Sequence, residues 1–178
     1  LAADAVHPER LVDERRAAAD SRFTYAVGRL ALWSADPTRV GSDGATLLRA
    51  GDFRRLAIAN PDLAPYGEAA RETLQRLGLW TSLVPKLVLG ESIGQTFQFV
   101  ATRNAEVGFV ALSQVVSPRN VDRGSHWVVP PGMHRPIRQD AVLLTRGEGN
   151  AAATAFLQFL RGAEAASIIS AFGYGIEQ

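Results

Sequence analysis

The sequence predicts an α/β protein with largely parallel sheets. Short β-leaning runs alternate with helical patterns along the whole chain, which is the order of elements that lays helices on a sheet. The clearest helical stretch, residues 65–77, carries Ala69, Ala70, Leu74 and Leu77 on one face and Glu68, Arg71, Glu72 and Arg76 on the other, as a helix lying on a sheet requires. With 178 residues, 47% of them apolar, the chain can build one ordinary domain or two small lobes.

The elements follow in order. Leu1 to Ala5 reads as the last residues of a buried strand running into a helix over 7–19. β-Leaning runs are expected at 23–33, 55–59, 86–89, 107–110, 126–129 and 141–145. Helices are expected at 45–50, 65–77, 93–103, 112–115, 151–162 and 163–171. No repeat, low-complexity tract or long linker interrupts them.

Composition excludes several functions. Lys and Arg number 19 against 18 Asp and Glu, a net charge of +1, so no whole-protein field gathers nucleic acid or anionic membrane. The absence of cysteine removes thiolate chemistry, disulfides and the usual zinc clusters. His7, His126 and His134 never fall at i, i+4 spacing or beside a carboxylate cluster, which argues against a metal site and a histidine-based triad. Gly147 with Gly149 and Gly173 with Gly175 do not form a phosphate-binding fingerprint. Asp13 with Glu14, and Glu68 with Glu72, read as solvated helix faces. Trp33, Trp80 and Trp127 read as packing rather than a stacking platform for bases. The longest apolar runs fall far short of the ~20 residues of a spanning helix. The chain opens at Leu1 without a signal-like segment, so a targeting peptide is expected to have been removed or never included, and part of the protein is expected to be absent upstream.

Two strand-to-helix turns stand out. In the first, Ala59 to Glu68, Pro65 suits the first helical position, where its missing N–H costs nothing; Tyr66 and Gly67 follow with first-turn N–H groups. In the second, Leu89 to Gln95, Ser92 and Gln95 have capping-box spacing and Gly94 leaves room for close approach. Each alone is compatible with an ordinary helix start. Together, two helix beginnings aimed at one point would hold a small dianion with about half a positive charge each, without lysine or arginine.

Four stretches carry a family likeness: Gly28 to Ser34; Leu56 to Pro61 through Ala64 to Gly67 and on to Trp80; Pro85 to Val88 through Glu91 to Gln95 and on to Ala111; and Ala155 to Leu160 through Phe172 to Gly175. In order and spacing the chain resembles the periplasmic molybdate-binding proteins of ABC transporters. The resemblance implies a two-lobed periplasmic-binding-protein fold of type II, its first lobe incomplete at the N-terminus. It implies an oxyanion-binding role for Tyr66 and Ile93 as hydrogen-bond donors, with Ser92, Pro65 and Gly67 shaping the turns. A tyrosine that some members carry after the strand at 107–110 is replaced here by Ala111, and Tyr66 matches the branch that uses a tyrosine at its own position. The family's opening strands and their hydroxyl-bearing turns, which supply the other half of the ligand shell, have no counterpart in these residues; a protein beginning at Leu1 is expected to bind oxyanion weakly or not at all.

The expected organisation is a first lobe from residues 1–34 and 135–178 and a second from 35–134. The expected function is capture of molybdate or tungstate, with the smaller sulfate held poorly, in a cleft between the lobes by hinge closure, and delivery to an ABC transporter permease. No enzyme activity, cofactor, side-chain metal ligand or nucleic-acid partner is expected. The protein would be a periplasmic monomer that meets the membrane only through the permease. Two rival readings are an effector-sensing domain of a transcription regulator, sharing the two-lobed fold, and a serine hydrolase. The hydrolase would use Ser92, because Gly90 to Gly94 fits a Gly-x-Ser-x-Gly elbow and His126 or His134 would have to serve as base.

Overall fold

The computed structural model describes residues 1–117, 120 and 123–177. Its helices and strands run in the order α1 (Val6–Asp13), β1 (Phe23–Gly28), β2 (Leu30–Ser34), α2 (Gly44–Ala50), β3 (Leu56–Ala59), α3 (Pro65–Arg76), α4 (Trp80–Leu83), β4 (Leu87–Gly90), α5 (Ile93–Ala101), β5 (Val107–Ala111), α6 (Leu112–Val115), β6 (Ser125–Val128), β7 (Ile137–Ala141), α7 (Ala151–Arg161) and α8 (Ala163–Ala171). The chain divides into two compact units, one of Leu1–Gly28 with Pro136–Gln178 and one of Arg29–Arg135.

The continuous unit is built on a five-stranded sheet in the order β4-β3-β5-β2-β6. β3 pairs in parallel with β4 and β5, whereas β2 runs antiparallel to β5 and β6. The expectation of largely parallel sheets therefore holds for β4-β3-β5 and fails beyond it. β2, β3 and β5 are buried at every position, so they read as continuous apolar runs that carry no information on strand direction. On this sheet Trp33 stacks on Phe97 with ring centroids 4.6 Å apart and planes 9° from parallel, in a cluster with Ala57, Val100, Ala105, Val110 and Val115.

The other unit pairs β1 with β7 antiparallel, from Phe23 opposite Ala141 to Gly28 opposite Ile137. Its interior is partly polar. Asp140, 3% exposed, accepts from Arg22 Nε and Thr24 Oγ1, each at 2.8 Å; that bond and burial act oppositely on Arg22, and the bond wins, raising its pKa. Asn150 caps α7 by accepting the N–H groups of Ala152 and Ala153, yet no residue of α7 is buried. Phe156, Phe159, Ile168 and Phe172 are 42–51% exposed, an apolar surface on α7, α8 and the residue just beyond.

Several expectations change. The single β-run at 23–33 is two strands in two units, separated by Arg29; because Leu30–Ser34 pairs with β5 and β6, the division falls after Gly28 rather than after residue 34. The strand expected at 141–145 lies at Ile137–Ala141, hidden from pattern reading because Gln139 and Asp140 are buried polar residues. The first helix stops at Asp13 rather than 19, since Arg15 turns left-handed at φ 57° and Ala17 bridges Leu144.

Candidate functional site

Strand β3 ends at Ala59, and the first turn begins there. Asn60 N–H donates to the Gly90 carbonyl at 2.7 Å, tying the end of β3 to the end of β4. The Asn60 side chain accepts the Asp62 N–H at 3.0 Å and its carbonyl accepts the N–H groups of Leu63 and Ala64, which folds the loop back toward the sheet. Ala64 is extended, and Pro65 opens α3 without donating. The Gly67 N–H, one of the two first-turn groups expected to be free, donates to the Ala64 carbonyl at 2.9 Å instead, because the first turn is tightened by an i→i+3 bond. Tyr66 is buried at 7% exposure and Pro65 is exposed. A side chain at position 67 has no space: its Cβ would stand 2.2 Å from the Ala59 carbonyl oxygen.

Strand β4 ends at Gly90, where a Cβ would meet Thr96 Oγ1 at 2.7 Å. Ser92 Oγ accepts the Gln95 N–H at 3.2 Å. Gln95 Oε1 reaches back to the Glu91 N–H at 2.6 Å, one residue earlier than the usual capping-box partner. Among the described residues the Ile93 and Gly94 N–H groups, first and second in α5, have no hydrogen-bond partner, as expected of a helix start. Ser92 and Gly94 are exposed and Ile93 is half-buried.

Ala59 lies opposite Gly90 in the parallel pair, so both turns leave the same end of adjacent strands within one unit. That is where α/β sheets place ligands. A further residue, unnoticed in the sequence, connects the neighbouring strand end. Gln114 Oε1 accepts the Ala111 N–H at 3.1 Å, and its Nε2 donates to the Ile93 carbonyl at 3.4 Å. Gln114 thus bridges the end of β5 to the start of α5; no short motif announces such a contact, because it depends on strand order.

Charges lie one turn behind the α3 start. Arg135 donates through Nε to Glu72 Oε1 at 2.6 Å and through its backbone N–H to Glu72 Oε2 at 2.7 Å, and its guanidinium also meets Glu68. Arg71 stands 3.4 Å from Asp62 and 3.9 Å from Glu68. Burial pushes Glu72 up, but the two bonds from Arg135 outweigh it and hold the carboxyl below its ordinary range.

The arrangement does not suit a hydrolase. Ser92 Oγ is occupied as a helix cap, His134 Nδ1 lies 2.7 Å from the Arg135 carbonyl, and His126 is on β6, at the opposite edge of the sheet from β4. Among the described residues no group of His, Asp and Glu could hold a metal ion. In the discontinuous unit a groove of about 450 Å³ is lined by Asp20, Ser21, Glu148, Gln158 and Arg161.

Residues 1–175 match the family described as bacterial extracellular solute-binding protein. The chain is 52% identical over 177 residues to the molybdate-binding protein ModA of Azotobacter vinelandii, covering 99% of this chain and 70% of that one. It is also 52% identical to the protein of the same name from Rhodobacter capsulatus, covering 99% and 68%. The solved periplasmic molybdate-binding protein of Azotobacter vinelandii superposes with a TM-score of 0.90 at 39% identity, over 99% of this chain and 77% of that chain. The α/β architecture is thus that of the type II periplasmic binding proteins. This chain belongs to the bacterial extracellular solute-binding protein family.

Proposed function

We propose that this protein captures molybdate or tungstate in the periplasm and hands it to an ABC transporter permease, without making or breaking a bond. What carries the reading is a pair of parallel strands, β3 and β4, that both end in helix starts, in a chain 52% identical to two molybdate-binding proteins. Tyr66 and Ile93 donate to the oxyanion, while Pro65, Gly67 and Ser92 fix the turns that present them. Helix-end dipoles and oriented N–H groups match a tetrahedral dianion without a cationic side chain, and the ligand is cargo rather than a cofactor.

The protein works as a monomer; it takes no nucleic acid, and that part of the reading is supported by its near-neutral net charge of +1. Its contact with the membrane is through the permease; among the described residues no helix is long and apolar enough to cross a membrane. Donors fixed at a set spacing select by size, so molybdate and tungstate bind and sulfate binds poorly. Titrating the protein at its full natural length with each anion, while following tryptophan fluorescence, tests this. Sulfate bound as tightly as molybdate rejects it.

A further inference from the structure

We infer that Arg135 sets oxyanion affinity by neutralising two carboxylates that α3 carries just behind its own ligand-binding end. The inference rests on the oxyanion reading of the α3 start. Glu68 is the fourth residue of α3 and Glu72 lies one turn further on, so both sit within about two turns, on the order of 10 Å, of the Tyr66 N–H. A carboxylate in the first turn is favourable at an empty helix beginning, but it competes with any anion arriving at the same field.

Arg135 answers both carboxylates. Its guanidinium meets Glu68 and Glu72 together, and its backbone N–H takes the second Glu72 oxygen at 2.7 Å. With Arg71 against Asp62 and Glu68, three carboxylates face two guanidinium groups. Removing Arg135 doubles the uncompensated charge behind the anion, from one to two. The Glu72 side chain is only 20% exposed, so water screens it poorly.

A packing role does not account for this arrangement, because the Arg135 side chain is 71% exposed and leaves no hole when shortened. It is also the last residue of the continuous unit. Its bonds therefore pin the chain, just before it leaves that unit, onto the helix that meets the ligand. Arg135 and Glu72 act as positioning residues and touch no ligand themselves.

The test uses the full-length protein and molybdate, titrated calorimetrically at low and at high salt. Arg135→Met should bind on the order of fivefold more weakly at low salt, the effect of one unit charge on a dianion at about 10 Å. The gap should close near 1 M salt, where the screening length is about 3 Å. Arg135→Met with Glu68→Gln and Glu72→Gln leaves Asp62 against Arg71, with none of the three carboxylates uncompensated, so it should recover fully and bind on the order of fivefold more tightly than wild type. Glu68→Gln alone, a mild surface change, should tighten binding, which keeps the inference testable if Arg135→Met melts early. Unchanged affinity in Arg135→Met at low salt, a salt-independent loss, or no recovery in the triple variant overturns the inference alone. Wild-type protein that binds neither molybdate nor tungstate overturns the proposed function and this inference with it.

Discussion

Replacing Gly67 with alanine tests whether the α3 start is held against the end of β3 as tightly as the geometry requires. The added Cβ would stand 2.2 Å from the Ala59 carbonyl oxygen and 2.7 Å from the Ala59 and Asn60 carbonyl carbons. All three atoms are backbone, and Ala59 belongs to a strand paired on both sides, so none can swing aside as a side-chain tip would. Restoring an ordinary contact of about 3.4 Å needs roughly 1.2 Å of movement of the helix start, an overpacking cost of about 1–3 kcal/mol. For a chain of this size that lowers the melting temperature by about 2–4 °C per kcal/mol. The same movement displaces the Tyr66 N–H from its place, which should weaken molybdate binding by about tenfold or more. Gly94→Ala is the control: its Cβ would meet only Ser92 Oγ, at 3.7 Å, so it should melt at or slightly above the wild-type temperature. Thermal unfolding followed by circular dichroism, with molybdate titration of each variant, decides the matter. Equal melting in the two variants would refute the steric argument.

Three other outcomes are expected. Arg22→Met strips the buried Asp140 of its cationic partner, leaving it the Thr24 hydroxyl, and should cost about 3–5 kcal/mol; urea unfolding measures it, and a loss below 1 kcal/mol contradicts the assignment. Glu106 is pushed up by burial but held below its ordinary value of 4.5 by Arg54 and the Arg55 N–H, which prevail. Because its folded pKa is depressed, its contribution is present above pH ~4.5 and lost as pH falls through the folded value, so Glu106→Gln should flatten the acid side of the stability curve and leave its neutral-to-basic slope unaltered. The apolar surface that includes Phe156 and Phe159 should bind an environment-sensitive apolar dye in the 178-residue chain, and Phe156→Ser with Phe159→Ser should reduce that fluorescence without lowering the melting temperature.

The parts of the fold that were legible in the sequence are those whose signals are local. Pro65 and Ser92 mark two helix starts within a residue, because a missing N–H and a capping hydroxyl act on their own turn. Strand direction was not legible, since β2 and β5 are buried on both faces and their apolar runs look alike whether parallel or antiparallel. β7 was misplaced by four residues because Asp140 and Gln139 are kept inside by Thr24 and Tyr25 on β1, more than a hundred residues earlier. Gln114 escaped notice for the same reason: its role exists only once β5 lies beside β3. At the site, then, the two turns could be read directly, while what joins them could not.

The pairing of Gly28 with Ile137 has a consequence for how the chain acquires its shape. Those residues bracket the whole of Arg29–Arg135, so β1 can find β7 only by closing a loop of more than a hundred residues, an entropic burden that grows with loop length. Once the intervening segment has condensed by itself, the span to be closed shrinks to the distance between its two exits. The connectivity therefore favours an order in which the inserted piece matures before the two parts of the split piece pair.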